Sequence, residues 1–412
     1  MSKKARIVVL GAGFAGLTLC TRLNALADSG AAEVTLVERN HSLSVGGLFQ
    51  FALQGLIDPT MIAVPYAGGT ALRCSGVRFL QDDVTGIDLA ARQVQTRATT
   101  LDYDYLVIAS GARYASEEVP GLADGGYNVC MLDDVLRLRT ALQAFAGGTV
   151  VMSIPRTPYK CPTVPQEYLL VVETMLRMRR DGVRERSRLL FVTEADGPFP
   201  MTGFFNERFA RYGIETEIYA PLREVDAGER LLHFGTGRDG RCLAPIRYEL
   251  LMATHPLAAH PVFQPLCDST GMIPADPRTL RTAWDGVWAL GDCAAMRLAS
   301  GPLHPKAGAF AMTQAEALAR NLIALVQSGG TQDAGAENLG IAQCDAEVGN
   351  HEGASISVNL MGGPKSRFEL GPVSTAAVQD KLSWISDCLD LWFQNAPRYR
   401  LSEKSPEGSL SC

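Results

Sequence analysis

The chain holds 10 cysteines and 6 histidines in 412 residues, yet it contains no C-x-x-C pair and no cluster of cysteine with histidine. Zinc is excluded on that spacing, and no metal site is expected. Thiols scattered through so large a chain do not read as a disulfide framework either. Most are expected to be inert core residues, Cys20 inside the first helix among them. No apolar run approaches the length of about 18 residues that a membrane-crossing helix needs. Excess positive charge is also lacking: the net charge is −6, which excludes a nucleic-acid surface. The opening MSKKARIVVLGAG has neither an apolar signal core nor a cleavage site, so a cytoplasmic location is expected. What remains, 47% hydrophobic and 20% charged, is the composition of a globular protein large enough for two or three cores.

Glycine is concentrated where chemistry would need it. ARIVVL, residues 5–10, reads as a buried parallel strand, and Gly11, Gly13 and Gly16 then complete G-x-G-x-x-G before an apolar-periodic helix. The next strand, EVTLVER, carries Glu38, 22 residues after Gly16. This is dinucleotide-binding logic. One glycine permits the tight turn, one admits a pyrophosphate against the backbone, and one lets helix and strand pack closely. The helix N-terminus faces the phosphates and the acid binds ribose hydroxyls.

A second β-α-β unit follows, with GGTVVMSIP (147–155), PQEYLLVVETMLRMRR (165–180) and SRLLFVTEA (187–195) as strand, helix and strand. Here glycine is absent from Thr149 to Asp181. Cβ atoms would crowd a pyrophosphate, and Pro155, Pro158, Pro162 and Pro165 remove backbone donors. A nicotinamide dinucleotide is disfavoured, although Glu194 stands where a ribose-binding acid could stand. In place of the glycines the loop carries Cys161.

Two further stretches identify the first dinucleotide. LDYDYLVIASGARY (101–114) resembles the Tyr-Asp-x-Leu-Val-Ile-Ala-Thr-Gly strand of the pyridine nucleotide-disulfide oxidoreductase superfamily. TAWDGVWALGDCAA (282–295) resembles its late Gly-Asp motif, in which the aspartate, here Asp292, binds the ribityl chain of FAD. The resemblance implies an α/β fold of two Rossmann-like domains, a glutathione-reductase-type FAD-binding fold with an inserted second nucleotide-fold domain, and a C-terminal segment. The implied division is 1–115 and 270–340 for the FAD-binding domain, 116–269 for the insert, and 341–412 for a flavin-covering and interface segment. Around FAD it implies Gly11, Gly13, Phe14, Ala15, Gly16, Glu38 and Arg39 from the first unit. Ser110, Gly111, Gly291, Asp292 and Lys306 complete the set.

A narrower family emerges from the cysteines. TPYKCPTVPQEY (157–168) resembles the Lys-Cys-Pro-x-x-Pro-x-Glu segment of sulfide:quinone oxidoreductases and of the flavocytochrome c sulfide dehydrogenase flavoprotein. IAQCDAEVGNHEGASISVNLMGGP (341–364) is similar to their late cysteine segment, NVCMLDD (128–134) to the segment of an earlier third cysteine, and HPKAGAFAMTQAEALARNL (304–322) to their Pro-Lys-x-Gly helix start. The family implies FAD-dependent oxidation of sulfide, or a related sulfur nucleophile, through a redox-active pair of Cys161 and Cys344, with Cys130 as a third thiol. Hydrosulfide would attack one sulfur of a bridged pair, leaving a persulfide there and a thiolate on the other. FAD would take the electron pair and a quinone would reoxidise it. Lys160 and Lys306 are expected to lower a nearby thiol pKa, and Glu167 to handle protons.

The chain departs from that family in two places. Asp133 and Asp134 follow Cys130 where many members have histidines. The Cys161 loop reads Thr-Val-Pro-Gln-Glu where Pro-Ala-Pro-Tyr-Glu is more usual. An NAD(P)H-dependent reductase, a biosynthetic flavoprotein oxidoreductase and a flavin-binding interaction protein without turnover are the competing readings. His255 and His260 read as structural, and Cys293 as packing. DKLSWISDCLDLWFQNAPRYRL places Leu382, Ile385, Leu389 and Trp392 on one helical face. A membrane surface, a second copy of the chain, or the FAD-binding domain itself would cover that face, and Lys381 reads as one of its few basic flanks. The last residues, SEKSPEGSLSC, read as a disordered tail.

Overall fold

A computed structural model describes residues 4–69, 71–363 and 365–401; the tail expected to be disordered lies outside the described residues. The first glycine loop joins Ala5–Leu10 (β1) to the helix Phe14–Asp28 (α1), and Ala32–Glu38 (β2) follows. Arg78–Gln81 (β3) and Tyr105–Ile108 (β4) extend the same parallel sheet, with β1 at its centre between β2 and β4. The apolar run of β1 is explained by its position, since a central parallel strand is covered on both faces. Between β2 and β3 the chain forms a short helix, Phe49–Gln54 (α2).

A second parallel sheet repeats the plan. Tyr127–Asn128 (β5) is followed by the helix Leu132–Ala144 (α3), and Gly148–Ile154 (β6) then leads through the Cys161 loop into Val164–Met178 (α4). Ser187–Thr193 (β7), Ile214–Glu217 (β8) and Leu250–Ala253 (β9) complete the order β5-β9-β6-β7-β8, all parallel. The chain then returns: Val287–Ala289 (β10) pairs with β4 and closes the first sheet, and Gly308–Gln327 (α5) packs on α1. The observed α/β architecture of two Rossmann-like sheets is the one the motifs imply.

Three antiparallel strands, Ile341–Glu347 (β11), Gly353–Asn359 (β12) and Arg367–Leu370 (β13), precede the last helix, Ala376–Trp392 (α6). The stripe of Leu382, Ile385, Leu389 and Trp392 is fully buried inside this chain. Trp392 meets Phe14 edge to face at 4.9 Å, and its indole N–H donates to Thr18 Oγ1 at 3.1 Å. Of the three candidate covers for this face, the FAD-binding half is the one present. One continuous apolar core runs from the first sheet through α4 and β11 to α6. No described helix is long and apolar enough to cross a membrane.

Candidate active site

The glycine loop has the shape a pyrophosphate requires. A Cβ on Gly16 would stand 1.8 Å from the Gly11 carbonyl oxygen, so only glycine lets α1 approach the loop this closely. A Cβ on Gly13 would meet nothing within 4 Å; it would project into the open cradle at the helix N-terminus. Glu38 accepts from the Ala12 N–H (2.8 Å) through one oxygen and from Asn40 through the other, which fixes the carboxylate beside that cradle. Ala15 is buried, Phe14, Ser110, Gly111 and Gly291 are half-buried, and Arg39 is exposed. These residues fit FAD. When bound, FAD supplies a two-electron acceptor.

Asp292 and the Cys161 loop meet at one seam. Lys160 Nζ lies 3.6 Å from Asp292 Oδ2, and the Cys161 N–H donates to the Lys306 carbonyl at 2.6 Å. The three cysteines lie around this seam. The Cys130 thiol reaches the Lys160 carbonyl at 3.9 Å, and Tyr114 donates to the Cys130 carbonyl at 2.9 Å. Cys161 has φ +53°, a left-handed conformation that a side chain disfavours by about 1–3 kcal/mol and that tends to be kept at functional positions. Cys344, on β11, is close enough that charge on Cys161 raises its pKa. All three are free, partly accessible thiols.

Their electrostatics differ from the sequence expectation. Burial pushes Cys130 and Cys344 each up to about 12 and raises Cys161 as well. Lys160 opposes that rise at Cys130, and Lys306 acts on Cys293 instead, since its ammonium is buried against the Ala294 carbonyl. Burial lowers the Lys306 pKa. Neither lysine brings a thiol below its ordinary range, because desolvation in this seam outweighs one cation.

The cation that faces Cys161 is Lys381. Read from the sequence as a basic flank of the apolar face of α6, it is buried, with Nζ 2.5 Å from Glu167 Oε2. Gln50 of α2 also donates to Glu167 Oε2 (2.9 Å), as does the Glu347 N–H (3.0 Å), and Thr163 donates to Oε1 (2.7 Å). Burial pushes the Glu167 carboxyl up, but Lys381 and these donors outweigh it and hold it below its usual range. Glu347, whose side chain receives amide donors from Gln50 and Gln54, is raised by burial. Lys381, Glu347, Gln50 and Thr163 were absent from the expected site. The spacing of Gln50 and Gln54, four apart in the otherwise apolar FQFALQ, was the available signal for α2.

Other candidates fall elsewhere. His255 accepts or donates at Ser116 Oγ (2.7 Å) and is lowered to about 4 by burial, so it is neutral near pH 7. Cys293 is fully buried against the Ile108 and Leu290 carbonyls.

Residues 5–152 match the pyridine nucleotide-disulphide oxidoreductase family, and residues 135–240 match the central region of the flavocytochrome c sulfide dehydrogenase flavoprotein chain. A mitochondrial sulfide:quinone oxidoreductase of Mus musculus is 26% identical over 70% of this chain, and the match spans 65% of the mouse protein's length. A type II NADH:quinone oxidoreductase of Staphylococcus aureus is 23% identical over 91% of this chain and 95% of its own. Among solved structures, the sulfide:quinone oxidoreductase of Aquifex aeolicus superposes with a TM-score of 0.78 over 92% of this chain and 90% of that one, at 18% identity, which speaks for the fold. The chain is an FAD-dependent oxidoreductase, similar over its first third to the pyridine nucleotide-disulphide oxidoreductases and over its central region to the flavocytochrome c sulfide dehydrogenase flavoprotein.

Proposed function

We propose that the protein oxidises sulfide, or a related sulfur nucleophile, at Cys161 and Cys344 and delivers the electrons through FAD to a quinone. The observation that carries this reading is that Cys161 and Cys344, 183 positions apart in sequence, both respond to the charges of the Glu167–Lys381 pair. In this reading Cys161 and Cys344 alternate between dithiol and disulfide. Hydrosulfide opens the disulfide, Lys381 steadies the thiolate released at Cys161, and Glu167 takes or returns the accompanying proton. Lys160 and Lys306 hold the cysteine loop against Asp292, and Cys130 stands ready as a second sulfur acceptor. The division at residues 115, 269 and 340 belongs to the same proposal, as does a cytoplasmic location with peripheral access to membrane quinone.

The NADH-dependent alternative is weaker on local geometry. The loop where a second dinucleotide would lie is taken up by its own side chains. Thr157 reaches Glu194 at 3.5 Å, and the buried Tyr159 donates from its hydroxyl to the Pro162 and Phe199 carbonyls, each at 3.2 Å. Anaerobic titration of the FAD-loaded protein, followed by flavin absorbance, separates the two. Bleaching by sulfide that is lost in Cys161→Ser and Cys344→Ser supports the proposal. Bleaching by NADH with no response to sulfide overturns it.

A further inference from the structure

Thr163 is the N-terminal cap of α4, yet its side chain makes no capping bond. A threonine at that position ordinarily accepts a backbone N–H from the first turn. Here the hydroxyl points to two other groups. It donates to Glu167 Oε1 at 2.7 Å, and it stands 3.8 Å from Cys161 Sγ, within hydrogen-bond reach of sulfur. Thr163 is 4% exposed and Glu167 1%, so no bulk water competes along this line. The family loop that this stretch resembles has proline at this position, which has no hydroxyl.

We infer that the Thr163 hydroxyl is a proton relay between the Cys161 thiol and the Glu167 carboxylate. The transfer balances without any other reactant. The S–H proton passes to Thr163 Oγ1 as that oxygen's own proton passes to Glu167 Oε1. A thiolate and a neutral carboxyl result, and the hydroxyl is restored. The reverse shift reprotonates Cys161. The surrounding charges set where the proton rests. Lys381 from α6 favours charge on either partner; from β11 the Glu347 N–H favours it on Glu167, while the Glu347 carboxylate and Cys344 oppose it. Tyr159 and Cys130 also flank Cys161. Thr163 therefore acts on the reacting sulfur through a proton and makes no bond to substrate.

The inference rests on the reading of Cys161 as the reacting thiol, but its test needs no sulfide, so the two fail independently. The measurement is the rate at which iodoacetamide alkylates Cys161 in FAD-loaded protein across pH, read by peptide mass spectrometry. Thr163→Val removes the hydroxyl whose contact at 3.8 Å holds the Cys161 thiol down, and is expected to slow the reaction by about tenfold near pH 7, one pKa unit's worth of thiolate. The deficit is expected to close at high pH, where hydroxide takes the proton directly. Thr163→Ser should restore the rate to within about twofold. Glu167→Gln also removes a negative charge that raises the Cys161 thiol, so the relay is read on that background: with Gln at 167, adding Thr163→Val should cause no further slowing, because the path is already cut. Thr163→Ala replaces the valine variant if the latter does not retain FAD. A wild-type rate without the hydroxyl, a serine variant as slow as valine, or additive losses would each overturn the relay.

Discussion

Lys381 and Glu167 are 214 positions apart, and the ammonium of one rests 2.5 Å from the carboxylate of the other, both out of reach of water. A buried ion pair is weak evidence of net stabilisation, since both charges lost their hydration to form it. Its direct consequence is dependence: neither partner can be removed alone without leaving the other charge stranded. The pair also joins the last helix to the first turn of α4, next to the loop that carries Cys161, so the position of α6 bears on the chemistry of that thiol.

Lys381→Met should therefore destabilise the FAD-loaded protein by about 3–5 kcal/mol, the range for breaking a buried pair from one side. Adding Glu167→Gln should recover a large part of that loss. Chemical denaturation of the single and double variants checks this; a Lys381→Met midpoint equal to wild type would contradict a buried, paired lysine.

Gly13 and Gly16 should fail in different ways. The Cβ of Gly13→Ala would meet no protein atom but would enter the cradle, so FAD content should drop at least about tenfold while the apoprotein's melting temperature holds. Gly16→Ala drives a methyl into the Gly11 carbonyl and should lower the melting temperature itself. Flavin-to-protein absorbance ratios and thermal melts of the apoproteins distinguish the two.

The thiols of this seam should be slow at neutral pH. Burial comes first in raising Cys344 to about 12, followed by charge on Cys161, Glu167 and Asp345. Below that value the thiol stays protonated, and its thiolate fraction grows about tenfold with each pH unit. In iodoacetamide time courses near pH 7.5 the exposed Cys242 should be labelled well before Cys344. The gap should narrow steadily as pH rises, and a flat profile for Cys344 would show that its protonation does not control its reactivity.

Trp392 anchors α6 with a fully buried indole and one hydrogen bond. Trp392→Ala should cost about 3–5 kcal/mol, as large aromatic truncations in cores do. The denaturation midpoint of the FAD-loaded variant tests this, and a shift of less than about 1 kcal/mol would mean that the helix end is not part of the cooperative core.

The parts of this protein that were legible in the sequence are those in which a short segment carries its own physical reason. The strand, glycine loop, helix and Glu38 are contiguous, and the helix expected over 165–180 occupies Val164–Met178. The stripe of Leu382, Ile385, Leu389 and Trp392 was equally plain from its period. Lys381 was read as no more than a basic flank because periodicity marks only which face of the helix is apolar. It carries no information about a carboxylate arriving from another helix 214 positions away. Gln50 and Glu347 were hidden for the same reason. The lowered thiol pKa expected from Lys160 and Lys306 failed differently: proximity in sequence to a cation says nothing of desolvation, and at Cys161 desolvation is the largest influence.

The seating of α6 against Phe14 and Thr18 bears on the order in which the fold is completed. Residues 376–392 follow the glycine loop only after both sheets have been laid down, yet they pack on the turn and first helix that open the dinucleotide cradle. The early strands can pair among themselves, but that wall of the cradle is unfinished until α6 docks. Tight capture of the cofactor therefore waits on the seating of this helix.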